Sequence, residues 1–150
     1  MIEVRFSDAG TGRGRVARTR WVQKIVAGVL KAEKSGRSVS VFLTDDKEIR
    51  KINRRFLKHD YATDVISFWF EAGQLTGKES DHLGDLVVSL ETAKRVAKEM
   101  GILFREELAR YLIHGTLHLL GYDDKRPGDK KVMHRRQEKI LDQLCTRAER

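Results

Sequence analysis

Two histidines, His114 and His118, stand four positions apart in the segment His114-Gly-Thr-Leu-His118-Leu-Leu-Gly121-Tyr-Asp-Asp124. On an α-helix that interval is about one turn, so both imidazoles leave the same face and can reach one ion. Gly121 follows, and a glycine can take a left-handed conformation at no steric cost and so end the helix. The chain can then fold back and offer a third ligand, with Asp123 and Asp124 both in place. Two histidines and a carboxylate leave one tetrahedral position open on zinc, the pattern of a catalytic rather than a structural site. The competing reading is a packed pair satisfied by hydrogen bonds. Ile113, Leu117, Leu119 and Leu120 make the helix largely buried, and imidazoles in such a helix need partners for their ring nitrogens, which favours the metal. Gly115 carries no side chain where zinc peptidases of the His-Glu-x-x-His type place their general base, so that chemistry is disfavoured.

The elements that must position these residues can be read from periodicity. Residues 2–6 alternate like a strand, and a Gly/Arg-rich loop follows over residues 10–14. Trp21, Val22, Ile25, Val26, Val29 and Leu30 mark an amphipathic helix that Gly36 ends. Residues 39–43 form a second strand. Asp45 and Glu48 then supply a capping box for a helix with Ile49, Ile52 and Phe56 on one face and Arg50, Lys51, Arg54, Arg55 and Lys58 elsewhere. Residues 65–70 and 83–90 read as strands three and four, with a loop over residues 74–81 between them. Ser89 caps a helix that Gly101 stops, and the histidine helix runs from near Phe104 to Gly121. A last helix over residues 129–147 turns Val132, Met133, Ile140, Leu141 and Leu144 inward. Strands early and helices late predict a single α+β domain over residues 1–150. Its four-stranded mixed sheet is covered by about five helices, with the metal site at the end of a central one.

Of the 150 residues, 35% are charged and the net charge is +8, a balance that attracts polyanions and makes nucleic acid the default partner. Cys145 is the only cysteine, so no intrachain disulfide can form, which suits a reducing cytoplasm. No run of apolar residues approaches a membrane span, so a soluble, cytoplasmic protein is expected.

Three blocks resemble the YbeY family of ribosomal-RNA maturation factors, described as metal-dependent endoribonucleases. They are Asn53-Arg-Arg-Phe56-Leu57-Lys-His-Asp60-Tyr-Ala62-Thr63-Asp64-Val65-Ile66-Ser67-Phe68, then Gly84-Asp85-Leu86-Val87-Val88-Ser89, then His114 to Asp124, followed by Met133 and Gln137-Glu138. Their co-occurrence in this order is far more specific than any single block. The resemblance implies a Zn2+ ion, one per chain, held by His114, His118 and Asp124, which would activate a water for attack on an RNA phosphodiester. It implies ribosomal RNA or the small ribosomal subunit as partner, with ribosomal proteins or an assembly GTPase beside it. It further implies single-strand-specific cleavage in small-subunit rRNA 3′-end maturation and ribosome quality control.

Two departures bear on that expectation. Asp124 stands where the family motif has a third histidine. Aspartate is an ordinary zinc ligand, but its negative charge should make a bound water less acidic. His134, in the next helix, is the less favoured substitute. Leu57 stands where the motif has an arginine thought to contact phosphate or aid catalysis. Arg54, Arg55 and Lys58 are the candidates for holding the RNA backbone, although on an α-helix Arg55 and Lys58 point roughly 200° and 100° away from position 57.

Asp64 and Asp85 are acidic candidates for a general base, each better read as fixing a turn. Glu107 could orient a ligand histidine, but an ion pair with Arg110 is favoured. His82 is read as solvated, and Trp21 and Trp69 as core residues rather than a stacking platform for bases. Arg13, Arg15, Arg18 and Arg20 form either an RNA-facing edge or a solvated basic segment. The alternative to an enzyme is a non-catalytic RNA- or ribosome-binding biogenesis factor with a structural metal site. A hydrolase of small molecules or peptides is disfavoured by Gly115 and the positive charge.

Overall fold

The computed structural model describes residues 2–7, 14–69 and 81–145. Strands β1 (Ile2–Phe6), β2 (Ser38–Thr44), β3 (Val65–Trp69) and β4 (His82–Ser89) form one mixed sheet in the order β1-β2-β4-β3. The first three neighbours run parallel, and β3 lies antiparallel to β4 at one edge. Helices α1 (Arg15–Ala32), α2 (Asp46–Ile52), α3 (Leu90–Met100), α4 (Phe104–Leu119) and α5 (Pro127–Leu144) complete the α+β fold. No helix of the described residues is long and apolar enough to cross a membrane.

The apolar pattern explains the layering. Val39, Val41, Leu43, Leu86 and Val88 alternate onto one sheet face and meet Val22, Ile25, Val26 and Val29 of α1 and Leu108, Leu112, Ile113 and Leu117 of α4. Helix α4 is the hub: it touches α1, α3 and α5 and lies on β3 and β4. Gly115 lets it approach so closely. A Cβ there would sit 2.8 Å from Leu86 Cδ2 and 3.0 Å from Val65 Cγ2. The missing side chain therefore points into the sheet. On the opposite sheet face, Ile49 packs with Ile66 and Val87 beneath α2.

Local signals set most boundaries. The Asp45 side chain accepts from Glu48 N at 2.8 Å, and Ser89 Oγ from Thr92 N at 3.1 Å, as the capping patterns predict. Gly101 ends α3 at φ +69 and Gly121 follows α4 at φ +104. Four expectations shift. After α1 it is Lys34, at φ 57, and not Gly36 that takes the left-handed conformation. Strand β4 begins and ends one residue earlier than read. Val132 is exposed rather than inward, because α5 begins at Pro127 and turns Met133, Gln137, Ile140 and Leu141 to the core. The largest shift follows α2, which does not continue to Phe56 as an α-helix but passes into a π-helical turn, Asn53–Leu57, closed by Lys58 at φ 58. Asn53 is buried and its Nδ2 donates to Tyr61 O at 2.9 Å, pinning the returning chain and leaving Phe56 exposed, edge-on to Phe68. The loop read over residues 10–14, the loop over 74–81, Phe70 and the end of the last helix lie wholly or mostly outside the described residues.

Candidate metal centre

Helix α4 presents His114 and His118 one turn apart, with ring centroids 4.7 Å apart and nearly perpendicular. The turn at Gly121 brings Asp124 back over them. Asp124 Oδ2 lies 3.5 Å from His114 Nε2 and 3.4 Å from His118 Nε2. Each of the three residues offers one ligand atom within 4.8 Å of the others. Zinc bonds of about 2.0–2.1 Å with tetrahedral angles separate neighbouring ligand atoms by about 3.3–3.4 Å, so the two nitrogen–oxygen edges already have the spacing an ion requires.

The hydrogen bonds behind the rings decide what those edges mean. His114 Nδ1 lies 2.8 Å from Gln137 Oε1 on α5, and His118 Nδ1 lies 3.0 Å from the Tyr122 carbonyl oxygen. Both partners are acceptors, so each Nδ1 carries a proton, and in that tautomer of the neutral ring the Nε2 lone pair faces Asp124. So held, the three groups converge as acceptors with nothing of their own to donate. A divalent cation satisfies all three at once, and the donor set of two imidazoles and a carboxylate is one that zinc takes. Side-chain exposures of 32% for His114, 20% for His118 and 39% for Asp124 leave one side open to solvent, which a closed structural site would not.

The supports come from distant parts of the chain. Gln137 is buried and its Nε2 donates to Glu138 Oε2 at 3.3 Å, which orients the amide oxygen toward His114. The Tyr122 hydroxyl donates to the Glu33 carboxylate at 3.1 Å, and Arg136 Nε binds the same carboxylate at 2.6 Å. That lock joins α1, the ligand loop and α5. Burial and the adjacent Glu33 carboxylate push the Tyr122 hydroxyl's pKa up, keeping it a donor. Gln137 and Tyr122 were not singled out from sequence as orienting groups. The signals were their places in the blocks that carry the family resemblance and, for Gln137, its helical spacing between Met133 and Leu141.

Glu107 does not reach His114. It pairs with Arg110 at 3.8 Å, as favoured, although Glu107 is buried and Arg110 half-buried rather than both lying on the surface, and Glu107 Oε2 accepts no hydrogen bond. Desolvation raises the Glu107 carboxyl's pKa, with the Asp64, Glu106 and Glu138 carboxylates adding and Arg110 opposing. His134 faces a different, shallow groove with Lys130, Lys131 and Arg135 on the exposed side of α5.

A cleft of about 380 Å³ opens over the triad, and Leu57, His59, Tyr61, Asp64 and Trp69 line it with His114, His118 and Asp124. Asp64 faces it but also fixes its turn, its Oδ1 accepting from Val65 N at 2.7 Å. Asp85 lies elsewhere, bound to His82 Nε2 at 2.9 Å, and His82 Nδ1 meets Ser38 Oγ at 2.9 Å. His82 is therefore a strand residue held on both ring nitrogens, not a solvated loop residue.

Trp69 also departs from expectation. Its strand is at the sheet edge, so the indole is 57% exposed, while its Nε1 donates to His118 O at 3.0 Å. Trp21 packs against the core as read. Of the basic candidates, Arg54 lines a neighbouring cleft with Lys47, Arg50 and Lys51, and Arg55 lies over the Phe56 ring. Lys58 sits at the left-handed end of the π turn, where α-helical angles no longer apply. Arg15 and Arg18 lie over the rings of Phe6 and Phe104, and Arg13 is outside the described residues.

Comparison with known proteins gives a consistent result. The family model described as Endoribonuclease YbeY matches residues 13–145. A Myxococcus xanthus protein named Endoribonuclease YbeY is 48% identical over 125 residues, covering 82% of this chain but only 41% of its own length. A Bacteroides thetaiotaomicron protein of the same name is 37% identical over 123 residues, 82% of this chain and 83% of that one. Among solved structures, the solution structure of a Thermotoga maritima protein superposes with a TM-score of 0.61 at 26% identity, over 96% of this chain and 89% of that one.

Proposed function

The chain belongs to the YbeY endoribonuclease family, and from that premise we propose that it cuts single-stranded RNA with a zinc ion held by His114, His118 and Asp124. The observation that carries this reading is the convergence of three acceptors, with both Nδ1 protons committed to Gln137 and Tyr122. Zinc bound there supplies Lewis acidity toward a water and a phosphoryl oxygen. The residues of the chain do the rest. The two histidines and Asp124 present lone pairs on fixed rings and a fixed loop, so little reorganisation is needed when the site is filled. The open face of the cleft admits a phosphodiester. Lys47, Arg50, Lys51 and Arg54, which line the adjoining cleft, draw the RNA backbone alongside. Arg55 and Lys58, both exposed on the π turn that follows, would add to that hold on the backbone. Asp64, facing the cleft, is the carboxylate best situated to take a proton from the attacking group. In the cell the substrate would be ribosomal RNA, at the 3′ end of the small-subunit species.

One observation favours the second reading, a non-catalytic RNA-binding biogenesis factor. Leu57 lines the cleft itself, and an aliphatic chain can neither bind phosphate nor move a proton. A single experiment separates the two. Metal per chain is measured by elemental mass spectrometry on native protein, His118→Ala and Asp124→Ala, beside cleavage of a single-stranded RNA with and without chelator. About one zinc in the native chain, lost in both variants together with cleavage, upholds the hydrolase. RNA binding without chelator-sensitive cleavage overturns it in favour of the binding factor. Product ends tell whether water or the RNA 2′-hydroxyl attacks: a 2′,3′-cyclic phosphate marks the latter.

A further inference from the structure

Two large aromatic rings flank the triad and are left in water. Tyr61 is 55% exposed and Trp69 57% exposed, and both line the cleft that contains His114, His118 and Asp124. Neither hangs free. The Trp69 indole donates its only polar hydrogen to His118 O and stands edge-on to the His118 ring, with centroids 6.5 Å apart. Tyr61 is anchored through its carbonyl oxygen by Asn53 Nδ2, and its ring lies 5.5 Å from that of His59. With the indole N–H already used, what Trp69 offers a ligand is a π face, which recognises another flat ring rather than a hydrogen-bonding group. Tyr61 also lines the neighbouring cleft of about 640 Å³, where Lys47, Arg50, Lys51 and Arg54 lie. Asp46 and Asp60 in that cleft are paired to Arg95 and Arg50. A basic track that ends on an aromatic ring, followed by a metal triad and a second ring, matches the way single strands are bound: phosphates on cations, bases on rings.

We propose that Tyr61 and Trp69 are base-stacking residues that seat unpaired nucleotides at the metal triad and are the physical source of a preference for single-stranded RNA. Paired bases are already stacked on one another and cannot offer these rings a face, whereas any unpaired base can. Recognition of this kind tolerates sequence. The proposal rests on the chain being a metal-dependent RNA hydrolase, and its test reads binding and cleavage separately.

In a Trp21→Phe background, Trp69 is the remaining tryptophan and its fluorescence reports directly on stacking. A ten-nucleotide single-stranded RNA, and the same strand in a duplex, are titrated into metal-loaded protein. The single strand should quench Trp69 and the duplex should not. In the native background, Tyr61→Ala and Trp69→Ala should each weaken single-strand binding by roughly 5- to 150-fold. Duplex affinity and zinc per chain should stay as in the native protein, and Trp69→Phe should recover most of the loss. Unchanged single-strand affinity in both alanine variants, or equal losses for single strand and duplex, overturns the stacking role. If native protein cleaves RNA and the variants bind and cleave as it does, stacking fails while the hydrolase reading stands. If binding needs both rings but nothing is cleaved, stacking stands and the hydrolase reading fails.

Discussion

Replacing Gln137 with methionine keeps the volume of a buried side chain on α5 while removing the acceptor that holds the His114 Nδ1 proton 2.8 Å away. The ring is then free to rotate or change tautomer, so its Nε2 lone pair no longer faces Asp124 in every molecule. Loss of an outer hydrogen bond of this kind costs about 10- to 100-fold in metal affinity, or about 1.4–2.7 kcal/mol. With metal in excess, that loss is a loss of folding stability. At about 2–4 °C per kcal/mol for a chain of this length, the metal-loaded melting temperature should fall by about 3–11 °C. Metal-free protein should fall less, because His114 is about a third exposed and water can take up the orphaned N–H. The assay is zinc affinity by competition with a chromophoric chelator, with melting curves in zinc and in excess chelator. Gln137→Glu retains an acceptor and should bind zinc at least as tightly as native protein. Native-like zinc affinity in Gln137→Met, or equal drops in melting temperature with and without metal, refutes the orienting role.

Other expectations follow from contacts already described. At Gly115, overpacking of about 1–3 kcal/mol from an added Cβ is offset by about 1 kcal/mol of helix propensity. Gly115→Ala should therefore lose no more than about 2 kcal/mol in urea unfolding. Gly84→Ala should lose more, because its Cβ would lie 2.3 Å from the Phe68 carbonyl oxygen of β3, and backbone cannot yield as methyl groups do; comparable losses would contradict the packing argument. Because burial raises the Glu107 carboxyl above its ordinary value of 4.5, the folded chain binds more protons than the unfolded one just above that pH. Stability should fall as pH rises through that window, and Glu107→Gln should remove that part of the fall, as measured by urea midpoints from pH 4 to 8. Leu57→Arg places a guanidinium in the cleft over the triad and should raise kcat/KM on single-stranded RNA by about 10-fold or more if a phosphate contact is what the native chain lacks. An unchanged value would remove Leu57 from the account of activity.

What could be read from sequence divides along the line between local and tertiary causes. The caps at Asp45 and Ser89 and the pairing of His114 with His118 are consequences of helical spacing, which a sequence displays directly. Asp124 was within reach because only a short turn separates it from His118. The π turn was invisible because it depends on Asn53 being buried beneath the returning chain, and an unbroken α-helix was the natural reading of Ile49, Ile52 and Phe56. Trp69 was read as core because the order of strands, which puts β3 at an edge, is not written in any one strand. Gln137 went unrecognised for the same reason: its partner lies on another helix, and only the packing of α5 on α4 brings them together.

That packing also sets when the site can come into being. Translation delivers His114 and His118 on one helix and Asp124 soon after, but Gln137 and Arg136 emerge later, on α5. A nascent chain halted between them can display two histidines, yet it lacks the group that fixes one ring and half of the lock that seats the loop. If the triad holds an ion as proposed, its full affinity would be reached only once α5 has docked on α4. Linkage makes the relation mutual: whatever factor docking of α5 adds to the hold on the ion, the ion adds to the hold on α5.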